Sequence, residues 1–254
     1  MTTSTTPVTL ITGGSRGLGR SMALHLAQAG HDLLITYRQR ADEADAVVAA
    51  IEAIGRRAVA LPLDATDGDS IPVFADAVRD ALARLGHTHL HALVNNAGTG
   101  VHKPFDETGV DDLDSLYAIH LKGPFLLTQA LLPLLVAGSR VLNVSSGLTR
   151  FTVPGYGAYA AMKGAVEVLS RYQAKELGAR GIIVNTLAPG AIETDFGGGA
   201  VRDNAQLNGW IASQTALGRV GLPDDIGQAV SALLSADCRW INGQRIEASG
   251  GMFL

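Results

Sequence analysis

The feature that most constrains the fold is a glycine-rich turn wedged between the first apolar run and the first helical pattern. Val8-Thr-Leu-Ile11 reads as a short strand buried on both faces, and Thr12-Gly-Gly-Ser-Arg-Gly-Leu-Gly19 follows at once. Met22 to Ala27 then carries an apolar helical pattern closed by Gly30. Strands are expected at Asp32–Tyr37, Arg57–Pro62, Leu90–Asn95, Arg140–Ser145, Ile182–Ala188 and Gln244–Ala248. Between them the pattern predicts helices at Ala41–Ile54, Ile71–Leu85, Leu113–Val136, Tyr156–Leu177 and Pro223–Leu234, the last with proline in its first turn. Such alternation, with no linker and no low-complexity segment, specifies a parallel sheet covered by helices on both faces. A closed barrel alternates too, but the glycine turn selects an open, doubly wound α/β sheet of about seven strands. A single domain is expected over residues 1–254. One irregular insertion, at about 191–222, follows a strand's carboxyl end and contains Gly197-Gly-Gly199, as a functional loop or hinged lid would.

Composition narrows the function classes. Apolar residues make up 47% and charged residues 17% of 254, enough for a large core and against a disordered chain. A formal charge of −4 without a basic stripe argues against a nucleic-acid surface. Cys238 stands alone, so no internal disulfide forms and a reducing compartment fits. The start, Met1 to Pro7, lacks the basic region and apolar core of a signal peptide. The richest apolar stretch, Phe125 to Val136, is broken by Pro133 and too short to span a bilayer. A cytoplasmic protein with no membrane partner is the expectation.

Gly13, Gly17 and Gly19 sit where strand gives way to helix, so the backbone can approach a pyrophosphate at a helix N-terminus. The spacing is one residue longer than the usual dinucleotide fingerprint. At the tip of the second strand an acid would hold the ribose hydroxyl of NAD; here it reads Tyr37-Arg38, with Arg16 in the loop opposite. Guanidinium forks match a phosphate, so NADP(H) is preferred over NAD(H).

The second chemical signal is Tyr159-Ala-Ala-Met-Lys163, preceded by Ser145-Ser146. Tyrosine and lysine four apart share a helix face, and a nearby ammonium favours the phenolate. A serine hydroxyl could then donate to a substrate oxygen on which charge develops. Strand alternation turns Ser145 to the opposite face, so Ser146 is preferred.

Together these residues resemble the short-chain dehydrogenase/reductase family almost end to end. Thr12 to Gly19 looks like its cofactor loop, Asn95-Asn-Ala-Gly98 like the motif after its fourth strand, and Tyr159-x-x-x-Lys163 with Ser146 like its active site. The tail, Gly218-Arg-Val-Gly-Leu-Pro-Asp-Asp-Ile226 through Ser249-Gly-Gly251, is similar to the 3-oxoacyl-carrier-protein reductase branch. The resemblance implies a Rossmann-type domain that passes hydride between NADP(H) and a carbonyl or secondary alcohol. Tyr159 would be the acid/base, Lys163 its partner and the holder of the nicotinamide ribose, and Ser146 the donor to the substrate oxygen. It also implies cofactor contacts from Gly13, Ser15, Arg16, Gly17, Leu18, Gly19, Arg38, Asp64, Ala65, Asn95, Ala97, Gly98, Tyr159, Lys163, Pro189, Gly190, Ile192 and Thr194. A homotetramer is implied, its long helices pairing across an interface.

Two positions depart from the family. His120-Leu-Lys-Gly123 stands where it usually has Asn-Leu-x-Gly, and Ala248-Ser249 where it often has Val-Asp. The asparagine is thought to hold a water linking the lysine to solvent. Histidine ionises near neutral pH, so His120 is expected to weaken activity under mildly acid conditions. Two alternatives follow: an NAD-dependent dehydrogenase of a sugar or sterol alcohol, or a dinucleotide-binding sensor or scaffold with weakened catalysis. His87, His89 and His91 alternate as metal ligands can, but no acid or cysteine joins them, and no metal is expected. Phe151, Val153, Tyr156, Phe196 and Trp210 are candidates for a partly apolar substrate pocket.

Overall fold

The computed structural model describes residues 6–254; the leader reading above falls for residues 1–5 outside the described part. Seven strands form one sheet: β1 (Val8–Ile11), β2 (Asp32–Tyr37), β3 (Ala58–Pro62), β4 (Leu90–Asn95), β5 (Leu135–Val144), β6 (Ile183–Pro189) and β7 (Arg245–Ala248). Their order is β3-β2-β1-β4-β5-β6-β7. Every pairing is parallel, with Leu10 opposite both Leu34 and Leu93. The order reverses between β1 and β4, which opens a crevice beyond their carboxyl ends.

Both faces are covered because successive strand residues point to opposite sides. Leu10, Leu34, Leu93 and Val141 pack against α3 (Ile71–Arg84), α5 (Gly123–Leu131) and their neighbours. Ile11, Leu33, Ile35, Val94 and Leu142 pack against α1 (Gly17–Gln28), α2 (Ala41–Ala53) and α9 (Pro223–Leu233). That two-sided burial explains strands that read as continuous apolar runs.

The expected helix Leu113–Val136 is corrected. It divides into α4 (Val110–Tyr117), a π-helical stretch over Ala118–Lys122 that carries His120, and α5. The α-helix ends at Leu131; Pro133, which has no amide to donate, sits in a 3-10 turn over Leu132–Leu134, and strand begins at Leu135. At the front, Asp112 accepts the Gly109 amide at 3.0 Å and starts α4 three residues early. The 191–222 stretch is also less irregular than its sequence reads. It holds the short α7 (Ala200–Asp203) and α8 (Ala205–Ser213), entered through Gly197, Gly198 and Gly199, each at positive φ. The remaining long helix, α6 (Gly157–Leu177), lies beside β5 and β6.

Candidate active site

The glycine turn is clamped from three strands. Thr12 Oγ1 accepts the amides of Asn96 and Ala97, both at 2.9 Å. Thr36 on β2 accepts Gly13 N–H through its hydroxyl (3.0 Å) and Gly14 N–H through its carbonyl (2.9 Å). Asn96 Nδ2 donates to the carbonyls of Thr12 and Gly13. A Cβ on Gly19 would lie 2.1 Å from the Gly13 carbonyl oxygen, so this close return of the chain needs glycine. Arg16, the residue before α1, caps it with no side chain, and the first-turn amides are left for an anion. That cradle fits a dinucleotide pyrophosphate.

Asn95 departs from its expected place. Its amide donates to Asn143 at 2.7 Å and Thr128 at 3.1 Å, tying β4 to β5 and α5, while Asn96, which sequence reasoning passed over, grips the loop. Several of the other expected cofactor residues stand at the carboxyl ends of the strands. Arg38 follows β2, Asp64 and Ala65 follow β3, Ala97 and Gly98 follow β4, and Pro189 and Gly190 close β6. Thr194 comes within van der Waals reach of a Cβ placed on Gly17, and Ile192 bridges to Gly221. Asp64 accepts the amide and hydroxyl of Thr66, which with the nearby Arg38 hold its carboxyl below the usual range. The Arg16 and Arg38 guanidiniums are exposed and make no hydrogen bond or ion pair among the described residues.

α6 carries the chemical pair. Tyr159, Lys163, Val166, Ser170 and Ala174 form its buried stripe, the spacing of one helix face. Lys163 Nζ donates to the Val144 carbonyl at 2.8 Å and lies 5.7 Å from the Tyr159 ring centre. Ser146, just past β5, accepts the Leu148 amide at 3.2 Å, and its hydroxyl lies near enough to the Tyr159 phenol to favour its ionised form. Ser145 is taken up by α6, donating to Glu167 at 2.7 Å and towards the Lys163 carbonyl at 3.3 Å.

Burial dominates the protonation of this group. It pushes the Tyr159 phenol well above its ordinary value, against the opposing hydrogen bond from Ser146. Burial, and not the nearby lysine, is the largest influence on Tyr159, so its phenol is neutral in this structure rather than lowered as expected. Burial pushes Lys163 down to about 7, with no carboxylate to hold its charge. His120 is corrected as well. Burial, then the neighbouring Lys163 charge, lowers it to about 3, so it is neutral in mild acid. Its Nε2 donates to the Thr99 carbonyl at 2.6 Å, which leaves Nδ1 a bare acceptor without a partner among the described residues. Its ring stands edge-on to Tyr159, 5.2 Å between centres, in space opened by Gly98.

A nucleotide cradle, a buried Ser-Tyr-Lys cluster and an all-parallel sheet narrow the comparison with known proteins. Residues 13–253 match a family model described as enoyl-(acyl carrier protein) reductase. Hydroxynaphthalene reductase arp2 of Aspergillus fumigatus is 33% identical, across 93% of this chain and 89% of that protein. The chain belongs to the short-chain dehydrogenase/reductases. Among solved structures, the angucycline C-6 ketoreductase LanV with bound NADP is 35% identical, with a TM-score of 0.91 over 97% of this chain and 95% of that one. The promiscuous reductase LugOII, which catalyses keto-reduction at C1 in lugdunomycin biosynthesis, is 38% identical with a TM-score of 0.92 over 98% of both chains.

In this short-chain dehydrogenase/reductase the space in front of Tyr159 is walled by rings. Tyr156 lies 6.4 Å and Phe196 5.6 Å from it, centre to centre. His102 packs on Tyr156 at 4.8 Å, a contact no local motif signals. Phe151 and Trp210 meet instead around Phe253, at 4.9 and 6.0 Å, in a small cluster with Ile211, Val220 and Met252. Val153 is half-buried beside Tyr156. The three alternating histidines separate: His87 turns to Asp32, His89 is exposed, and His91 packs on His31.

Proposed function

We propose that this protein is an NADPH-dependent ketone reductase acting on flat, aromatic, partly apolar substrates, and that Ser146, Tyr159 and Lys163 carry the proton chemistry. The observation that supports it most is the buried cluster itself: a neutral phenol, a serine hydroxyl on it and an ammonium behind it. The bound nicotinamide supplies the hydride. Tyr159 gives its phenolic proton to the oxygen that hydride transfer leaves negative. Ser146 donates to the same oxygen as charge develops, and Lys163 stabilises the phenolate left behind. The Gly13–Gly19 turn and first amides of α1 would hold the pyrophosphate, and Arg16 with Arg38 the adenosine 2′-phosphate. Solved relatives with bound NADP support that cofactor choice.

The aromatic substrate class rests on Tyr156, Phe196 and His102 around Tyr159. Rings prefer to stack or meet edge to face, so such walls favour a planar guest. Relatives named for hydroxynaphthalene and angucycline substrates point the same way. We also propose the homotetramer, with exposed Val110, Leu113, Tyr117 and Phe125 on α4–α5 and Val168 and Tyr172 on α6 as the area it would cover. The sensor reading loses its motive once His120 is neutral.

The test is NADPH oxidation with a panel containing α-tetralone, an aromatic quinone and a β-keto thioester. Parent protein should turn over at least one aryl carbonyl, and Tyr159→Phe should lose about 10²- to 10⁴-fold in kcat. Equal rates in parent and Tyr159→Phe would overturn the enzyme reading.

A further inference from the structure

Ser146 is useful only if its hydroxyl is aimed, and the backbone that carries it comes off the end of β5 into a short turn. Three groups hold that turn, and all converge on one carboxylate. Glu167 lies one helical turn beyond Lys163 on α6, hence on the same side of the helix. Its Oε1 accepts from Ser145 Oγ at 2.7 Å, from Thr149 Oγ1 at 2.7 Å and from Arg245 Nε at 2.8 Å. Two of these partners also reach Ser146 itself. The Ser146 carbonyl accepts from Thr149 Oγ1 at 2.9 Å and from Arg245 Nη2 at 3.3 Å. The Thr149 hydroxyl has one proton, shared between Glu167 and that carbonyl, while Arg245 Nη2 donates to its oxygen at 3.2 Å. Thus the residue before Ser146, its carbonyl and the residue three beyond it are all referred to α6, the helix that carries Tyr159.

We infer that Glu167 is a positioning residue for Ser146, which rests on the proposed role of Ser146 as donor to the substrate oxygen. With the carbonyl pinned and the Leu148 amide donating to Oγ, the Ser146 side chain is fixed in the turn beside Tyr159 with its proton free to be donated. Arg245 supplies the charge that makes the carboxylate tolerable in this half-buried place, and its other arm reaches Glu247 at 2.8 Å. Glu247 in turn binds Arg150, which donates to the carbonyls of Met252 and Phe253. The aim of Ser146 is therefore set from α6 and steadied from β7. Neutralising Glu167 frees the turn and misplaces the hydroxyl by a fraction of its reach, a kind of change that costs rate and leaves cofactor binding alone.

The experiment is a double-mutant cycle of Glu167→Gln with Ser146→Ala, using α-tetralone or whichever aryl carbonyl of the panel the parent reduces. In the parent background Glu167→Gln should lower kcat roughly 10- to 100-fold with the Kd for NADPH unchanged. In the Ser146→Ala background the same change should alter kcat by less than about twofold, because the aimed hydroxyl is gone. A strut that only stabilises the fold would lower both backgrounds alike, and that result overturns the inference, as does parent-like kcat in Glu167→Gln. Thr149→Val carries the same cycle if Glu167→Gln does not fold. Tyr159→Phe run beside them separates the two levels: an active Tyr159→Phe overturns the reading of the site, whereas an inactive one with a normal Glu167→Gln overturns only the positioning role.

Discussion

Two buried charges sit at opposite ends of the same sheet and are treated in opposite ways. Asp32 opens β2 at the amino end with a fully buried carboxylate. It takes hydrogen bonds from the Arg56 and Arg57 side chains and from the Arg57 amide, at 2.7 to 3.1 Å, and has His87 at 3.5 Å. Burial alone would raise this carboxyl, but the bonds from Arg57 and Arg56 together outweigh it and hold it below the ordinary range. Lys163, near the carboxyl end, has a backbone carbonyl and a tyrosine ring but no acid, and burial brings it to about 7. A buried charge with every lone pair met is structure. One left without its counter-ion titrates where chemistry happens.

The comparison breaks most visibly at Asp32. Asp32→Ala removes the acceptor of two partly exposed guanidiniums and of the Arg57 amide and should cost about 2–3 kcal/mol of stability, while kcat per folded molecule stays at the parent level. Denaturant unfolding beside active-site titration measures both. The sign of its pH dependence is fixed: a carboxyl depressed by folding contributes above its unfolded pKa, and that contribution drains as pH falls below about 4 through the folded value. The cationic crevice gives a smaller effect. Among the described residues Arg38 has no bonded partner, unlike Arg56 and Arg57, so Arg38→Asp should shift the ratio of kcat/KM for NADPH over NADH towards NADH by about tenfold or more. An unchanged ratio would show that Arg38 does not read the cofactor.

The smallest effect separates His120 from Lys163. In the proposed mechanism reduction needs the phenol protonated and the ammonium charged, so kcat/KM should fall as pH rises through about 7, where Lys163 loses its proton. Below that the profile should stay flat to pH 5, because His120 gains its proton only near 3. His120→Asn should therefore leave the acid side superimposable on the parent, and an acid limb that disappears in that variant would reinstate a titrating histidine.

What could be read in advance was local. The glycine turn, the Tyr159–Lys163 spacing and the strand-helix alternation are short-range patterns; the alternation foretold the sheet, and the other two placed a tight turn after β1 and a buried tyrosine and lysine on one face of α6. What escaped depends on distant partners. Nothing near His120 announces the Thr99 carbonyl 21 residues away that fixes its tautomer. Nothing near Glu167 announces Arg245, 78 residues on. Leu135 and Val136 suit helix and strand equally by polarity, and only Pro133 and the pairing of Leu135 with Leu90 decide between them.

The strand order also sets a timetable. β1 lies between β2 and β4, and Thr9 meets Ala92 across more than eighty residues of intervening chain. During synthesis β1 to β3 can pair as soon as they emerge, but the inner edge of β1 then waits, its amides and carbonyls unmatched, until β4 is made. Closing a loop of that length is entropically costly, and an open parallel edge is what a neighbouring nascent chain can seize. The crevice where the strand order reverses is thus the seam that must wait for the longest stretch of chain, and the interval before β4 closes it is a stage at which a growing chain gains from a chaperone.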